Sequence, residues 1–129
     1  MRLTPFLLLI LAWPAHAQVI TPEDFDALST GKTLYFRDET NGVGAEQYFD
    51  NRRVRWMFAD GTCTDGYWYA QAGTLCFVYD DAPGPQCWIM TRDEGKISAR
   101  RAEFNDTSPI VVERIDEKPL ACAGPDLGV

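Results

Sequence analysis

The chain has 129 residues, with 19 acidic side chains against 12 Lys and Arg, so its formal net charge at pH 7 is −7. This length holds one domain. The acidity argues against binding to nucleic acids and to anionic lipid surfaces, since proteins bind both mainly through Lys and Arg. Electrostatics would instead favour a basic protein as a macromolecular partner.

The N-terminal segment has the three parts of a secretory signal peptide. Arg2 supplies a positive charge, residues 6–12 form a short apolar run, and residues 15–17 have the A-x-A pattern of a cleavage site. The apolar run is shorter than the roughly 20 residues that cross a bilayer, so no transmembrane segment is expected after cleavage. We therefore predict a signal peptide over residues 1–17 and a single domain over residues 18–129, periplasmic or secreted from a bacterium.

The single histidine of the chain, His16, belongs to this predicted signal peptide. After cleavage no imidazole would remain for general-base catalysis near neutral pH or for binding zinc or copper. Mechanisms that need Ser-His-Asp or Cys-His are excluded on that basis. We therefore predict that the protein is not an enzyme and uses no cofactor or metal.

One short helix is predicted near the start of the remaining chain. Thr21 is a suitable N-cap, Pro22 fits the first helical position, and Gly31 is placed to end the helix. Phe25 begins its apolar face. Residues 18–20 are expected to be a short leader in front of it.

After the helix, apolar and polar residues alternate in the way that is typical of half-buried strands. Turn signals recur roughly every ten residues, and two of them are expected at residues 41–44 and 65–66. The predicted strands cover residues 33–37, 45–49, 53–58, 67–71, 74–79, 86–92, 96–104 and 110–115.

This pattern of many short strands predicts an all-β protein. We expect a small antiparallel up-and-down β-barrel, or a sandwich, preceded by the helix. The short connections between strands favour the barrel. Residues 116–129 are expected to form an irregular C-terminal tail.

Four cysteines follow the predicted signal peptide: Cys63, Cys76, Cys87 and Cys122. They are separated by 12, 10 and 34 residues, whereas zinc sites usually pair cysteines two to four residues apart. An even number in a small exported domain therefore predicts two disulfides. Three pairings are possible, and we favour Cys63–Cys76 with Cys87–Cys122, because the second bridge would tie the tail to the sheet.

The stretch Tyr67-Trp68-Tyr69 is a candidate contact surface. Most aromatic residues of the chain alternate as strand interiors do, so we expect them to form the core. In this stretch alternation would place aromatics on both faces. If Trp68 points inward, Tyr67 and Tyr69 form an outward pair that a ligand or partner could contact.

Arg53 and Arg55 alternate with apolar residues along one predicted strand. The simpler interpretation is an exposed face whose arginines pair with nearby carboxylates at little gain in stability. The alternative is an anion site, because planar guanidinium groups bind carboxylate or phosphate through two hydrogen bonds. The two interpretations stay open at this point.

Glu46 differs from most acidic residues of the chain because it lies inside a predicted strand and not in a turn. Two carboxylates are sufficient for glycoside hydrolysis, which needs no histidine. Calcium binding by the acidic loops is a further alternative, although the EF-hand spacing is absent. Glu46 is therefore a candidate binding residue together with Arg53, Arg55 and the aromatic stretch.

Several motifs resemble those of a family of small exported alphaproteobacterial proteins. The similarity covers about residues 31–95, and it implies an exported, disulfide-bonded β-domain without naming an activity. The motifs are Gly44-x-Glu46-Gln47-Tyr48, Arg55-Trp56-x-Phe58-x-Asp60-Gly61-x-Cys63-x-x-Gly66-x-Trp68, Cys76-Phe77-x-Tyr79 and Cys87-Trp88.

Together these observations predict a non-enzymatic periplasmic module that binds a small ligand or a basic protein. One alternative is a small carboxylate-dependent enzyme that acts on envelope glycans, which an inward-facing carboxylate pair in a concave pocket would favour. Another is an envelope assembly or stress factor, which a flat apolar patch without a pocket would favour.

Overall fold

The computed structural model describes residues 1, 8–13, 16–39, 42–104 and 108–124. Within these ranges the chain forms nine β-strands, one α-helix and one short 3₁₀ helix. In chain order the elements are β1 (Gln18–Val19), α1 (Pro22–Ser29), β2 (Thr33–Arg37), β3 (Gly42–Tyr48), η1 (Asp50–Arg52), β4 (Arg53–Phe58), β5 (Cys63–Gln71), β6 (Thr74–Tyr79), β7 (Gln86–Asp93), β8 (Lys96–Arg101) and β9 (Ile110–Asp116).

Strands β2 to β9 form a closed antiparallel barrel. Each strand pairs with the next one in the chain, and β9 pairs with β2 to complete the circle. The connections are hairpin loops, because antiparallel neighbours need no crossover. The prediction of an up-and-down barrel preceded by one short helix is therefore confirmed, and the sandwich alternative is wrong.

Strand β1 corrects the expectation that residues 18–20 are a leader. Gln18 and Val19 pair with β7, and the Ile20 amide donates to the Met90 carbonyl at 2.8 Å. Ile20 is also buried in the core. This position is available because β6 pairs only with the first part of β7, which leaves backbone groups of the second part free for β1.

Helix α1 closes one end of the barrel. Its predicted start is confirmed, since the Thr21 hydroxyl accepts a hydrogen bond from the Asp24 amide at 3.2 Å. Phe25 is fully buried and meets the rings of Tyr48 and Trp68 edge-on, with centroid distances of 5.3 and 5.2 Å. The helix therefore lies at the end of the barrel opposite the one where β6 joins β7.

Two glycines were interpreted as turn residues, and the structure places both inside strands. β3 begins at Gly42, within the predicted turn at residues 41–44, of which residue 41 lies outside the described ranges. β5 likewise runs through the predicted turn at residues 65–66. A Cβ on Gly44 would collide with the carbonyl oxygen of Met57 and lie 2.6 Å from Cζ2 of Trp56, and one on Gly66 would collide with the carbonyl oxygen of Val78 and lie 3.0 Å from Cδ1 of Tyr79. The backbone and an aromatic ring of the neighbouring strand approach both positions closely, which explains why glycines occur there within strands.

The C-terminal half contains smaller corrections. β8 ends at Arg101, whereas the sequence predicted a strand to residue 104. Residues 105–107, in the connection between β8 and β9, lie outside the described ranges. Residues 117–124 form no strand of their own apart from a single parallel bridge between Thr62 and Ala123, and residues 125–129 are not described.

The structure confirms two disulfides and corrects their pairing. The bridges are Cys63–Cys122 and Cys76–Cys87. Cys76 and Cys87 are direct cross-strand neighbours in the β6–β7 pair, so their side chains project from the same face of the sheet at adjacent positions. The C-terminal tail is bonded to the sheet as expected, but Cys122 is bonded to Cys63 at the start of β5 and not to Cys87.

The described part of the predicted signal peptide does not contribute to the barrel. Residues 8–13, 16 and 17 are exposed and form no helix or strand, and the rest of that segment, residues 2–7 and 14–15, lies outside the described ranges. In the portion of the chain with assigned structure, no helix combines the length and apolar character needed to cross a membrane.

Candidate ligand site at the open end of the barrel

A cavity of about 470 Å³ occupies the barrel interior at the end opposite α1. Its wall is formed largely by aromatic side chains from five strands. These are Phe36 of β2, Tyr48 of β3, Trp56 and Phe58 of β4, Phe77 and Tyr79 of β6, and Trp88 of β7.

Strand alternation explains why these side chains point inward. Along β4, Trp56 and Phe58 line the cavity, while Arg53 and Arg55, at the alternate positions before Trp56, face outward. Successive residues of a strand point to opposite faces of the sheet, so a strand of this pattern has an apolar inner face. The absence of side chains at Gly44 and Gly66 then lets the large rings lie close to the neighbouring backbone.

Glu46 is the buried polar group of this cavity. It is 3% exposed, and its direct cross-strand neighbours are the apolar residues Leu34 and Trp56. The Tyr79 hydroxyl donates a hydrogen bond to its carboxylate at 2.5 Å, and the Tyr48 hydroxyl donates a second. Burial raises the pKa of Glu46 to about 7, although the two tyrosines act in the opposite direction.

The two tyrosines keep their protons at physiological pH. Burial and the neighbouring Glu46 carboxylate raise the pKa of Tyr48 well above its ordinary value, and the same causes raise the pKa of Tyr79. Both hydroxyls are therefore fixed donors. Glu46 is the member of this group that can gain or lose a proton near pH 7.

Arg101 and Asp81 are charged residues of the cavity lining. A terminal nitrogen of Arg101 forms an ion pair with Glu103 at 2.7 Å, and the guanidinium lies near the rings of Trp88 and Phe104. The Arg101 Nε is buried without a hydrogen-bond partner among the described atoms. Asp81 is exposed in the loop between β6 and β7.

Of the six candidate binding residues, Glu46 lines the cavity, whereas the others lie elsewhere. Arg53 and Arg55 project from the outer face of β4, and Arg55 pairs with Asp65 on β5 at 2.6 Å. This arrangement agrees with the interpretation of an exposed, ion-paired face and does not form an anion site inside the barrel.

The aromatic stretch on β5 divides between the two faces of the sheet. Trp68 is 3% exposed and packs in the core beneath the cavity, with the Arg52 guanidinium 4.1 Å from its ring centroid. Tyr67 and Tyr69 form the expected outward pair, with ring centroids 6.4 Å apart. The pair lies on the outer face and is separate from the cavity.

The cavity lining also includes residues that the sequence did not predict as binding residues, among them Tyr79, Trp88 and Arg101. Arg101 follows Ile97 and Ala99 at the spacing of one strand face, and both of those residues are buried. That spacing was the available signal for an inward arginine. The tyrosine and the tryptophan carried no comparable signal, because alternation does not separate a packed aromatic from one that lines a cavity.

Comparisons with protein-family models, with curated proteins and with solved structures each find no match. The resemblance to small exported alphaproteobacterial proteins stays a prediction. Among the residues that the structure describes, no group of three or more His, Cys, Asp and Glu is placed to hold a metal ion. The chemistry of the cavity is therefore the basis for a functional proposal.

Proposed function

We propose that the protein is a non-enzymatic binding protein that holds one small, largely apolar ligand in the open end of its barrel. The observation that carries this proposal is the aromatic cavity of about 470 Å³. Small-ligand sites have volumes of roughly 300–1,000 Å³, apolar walls and a few polar groups. Eight-stranded barrels are also wide enough to hold one small ligand between their walls.

The closed end of the barrel supports the same proposal. α1 covers that end with Phe25, so a ligand would be enclosed on all sides except the mouth. Glu46 and Tyr79 lie within the wall and offer hydrogen bonds in an otherwise apolar space. Few polar groups at fixed positions give a ligand its orientation, while the aromatic area gives it affinity.

Narrowing the cavity is expected to weaken binding of an apolar probe. Thr64 lines the cavity and is half-buried, so Thr64→Phe would place a ring in the ligand space. We expect the affinity for the neutral fluorescent probe N-phenyl-1-naphthylamine to fall at least tenfold. The measurement is a fluorescence titration of the oxidised protein.

The matched control for this variant is Thr91→Phe. Thr91 is also a half-buried strand threonine, but it lies outside the cavity and next to β1. Its substitution should leave the probe affinity within about twofold, and circular dichroism checks that both variants fold. Equal probe binding by the two variants, or none by the wild type, would contradict a ligand site in the barrel.

We also propose that the protein is exported and matures by cleavage after Ala17. Support comes from the two disulfides, which persist in oxidising compartments, and from the sheet pairing that begins at Gln18. We expect protein recovered from the periplasm of a Gram-negative host to begin at Gln18 by intact mass. Ala17→Arg removes a small residue of the cleavage pattern and should prevent processing. Periplasmic wild-type protein that keeps residues 1–17 would refute the cleavage site.

A carboxylate-dependent glycan hydrolase is the second candidate function. The observation in its favour is that Glu46 and Asp81 line the same cavity. A raised pKa, as Glu46 has, is typical of a general acid. Against this candidate, Glu46 is enclosed by two tyrosine hydroxyls. Release of reducing ends from peptidoglycan that Glu46→Gln abolishes would favour the enzyme over the binding protein.

A further inference from the structure

We infer that the ligand is an organic cation, an amine on an apolar or aromatic skeleton, whose charged group lies against Glu46 within the aromatic wall. This inference rests on the proposed function, because it names the chemical class of the ligand for the same cavity.

The first line of support is that Glu46 has no basic partner among the residues that the structure describes. Its hydrogen-bond donors are the neutral hydroxyls of Tyr79 and Tyr48. The ion pairs of the described residues connect other carboxylates with arginines and leave Glu46 out. A buried carboxylate without a positive partner is costly to ionise. A ligand ammonium would supply the charge that the protein itself does not place there.

The second line of support is the aromatic wall around the carboxyl group. Trp56 is the direct cross-strand neighbour of Glu46, and Tyr79 contacts it from β6. Aromatic faces attract cations, and the attraction is strongest where the cation has been removed from water. Neutral apolar ligands would use the same rings, but they carry no positive charge to compensate an ionised Glu46.

Arg101 does not provide an equivalent site for an anionic ligand. One of its terminal nitrogens is held by Glu103, and its Nε is shielded from contact even though it has no partner. The guanidinium also lies near the rings of Trp88 and Phe104. An anion would have to displace these contacts. The net charge of the chain, −7, favours the approach of a cation as well.

Binding of a cation should be linked to the proton of Glu46. Burial raises the pKa of this carboxyl to about 7, so it is mostly protonated at pH 6 and mostly ionised at pH 8. Tyr48 and Tyr79 have raised pKa values and keep their protons across this range. Asp81 and Arg101 are the charged groups that line the same cavity. An ammonium therefore binds with release of one proton, and its affinity should rise about tenfold from pH 6 to pH 8.

The test uses three probes with one skeleton: 1-naphthylmethylammonium, 1-naphthalenemethanol and 1-naphthoate. Calorimetric titration at pH 8 should show the cation binding at least tenfold more tightly than the alcohol, and the carboxylate should bind most weakly. Glu46→Gln should reduce cation affinity at least tenfold, to the level of the alcohol, and remove its pH dependence. Glu113→Gln alters an exposed carboxylate on β9 and serves as the matched control, with unchanged affinities.

A second variant keeps the test informative if Glu46→Gln does not fold. Tyr79→Phe removes a hydrogen bond that lowers the pKa of Glu46, so the midpoint of the pH dependence should move above 7. Preference for the alcohol or the carboxylate, or a cation affinity independent of pH and of Glu46, would overturn the inference and leave the binding function standing. Failure of all three probes and of N-phenyl-1-naphthylamine would overturn the binding function itself.

Discussion

Replacing Cys63 and Cys122 together by alanine is expected to lower the free energy of unfolding by about 4 kcal/mol. This bridge joins residues 59 positions apart, and the entropy that a cross-link removes from the unfolded chain grows with the length of the loop it closes. The bridge also holds the tail against the barrel, where the Leu120 amide donates to the Gln47 side chain at 3.0 Å. Urea unfolding followed by tryptophan fluorescence measures the change.

The second disulfide supplies the matched comparison. Cys76 and Cys87 are only 11 positions apart, so the same model predicts a loss of about 3 kcal/mol for their double replacement. Only the Cys63/Cys122 variant should also expose the tail to limited proteolysis under native conditions. A larger loss for the Cys76/Cys87 variant would show that loop length does not determine the ranking.

Raising the pH from 4.5 to 8 is expected to destabilise the protein by about 3 kcal/mol through Glu46 alone. The pKa of this carboxyl is about 7 in the folded protein and close to 4.5 when it is exposed. Between these values the folded state binds more protons than the unfolded state, so stability falls as the pH rises. Each unit of pKa difference corresponds to about 1.4 kcal/mol.

Glu46→Gln isolates this effect, because glutamine does not titrate. The variant should not show this decline, and the difference in unfolding free energy between the two proteins should change by one proton's worth between about pH 4.5 and pH 7 and stay constant above pH 7. The sequence has no histidine after His16, so no imidazole of residues 18–129 titrates between pH 4.5 and pH 8. Glu113→Gln should keep the decline. A wild-type stability that is flat between pH 4.5 and 8 would contradict the raised pKa of Glu46.

Two carboxylates on the outer surface have lowered pKa values, so they change the stability in the opposite direction and at lower pH. Hydrogen bonds to Arg55 lower the pKa of Asp65, and hydrogen bonds to Thr62 lower the pKa of Asp60. Their stabilisation is present above their ordinary pKa and is lost as the pH falls through the lowered value. Stability should therefore be highest in mildly acid solution, between the two effects.

The sequence contained enough local information to predict the barrel. Alternation of apolar and polar residues marked most strands, and the short turns between them allowed only neighbours in sequence to pair. The helix start was also local, since Thr21 and Pro22 act within one turn. Glu46 could also be identified from local sequence, because it lies inside a predicted strand whereas most acidic residues of the chain lie in predicted turns.

The errors share a different cause. Gly44 and Gly66 were interpreted as turn residues because local rules treat glycine as a source of unusual backbone angles. Their actual role is to allow the close approach of the neighbouring strand, both its backbone and the rings of Trp56 and Tyr79, and local rules cannot predict contacts with a neighbouring strand. Residues 18–20 were interpreted as a leader for the same reason, since their partner β7 lies some 70 positions away in the chain.

Sequence by itself therefore determined most of the strands, the helix and the even number of cysteines. Only the tertiary structure decided which cysteines pair and which side chains share the cavity. Both depend on closure of the barrel, which brings Glu46 of β3 to Tyr79 of β6 and Cys63 to Cys122. Alternation fixes which face of a strand is buried, whereas distances between strands are set by how the whole sheet curves.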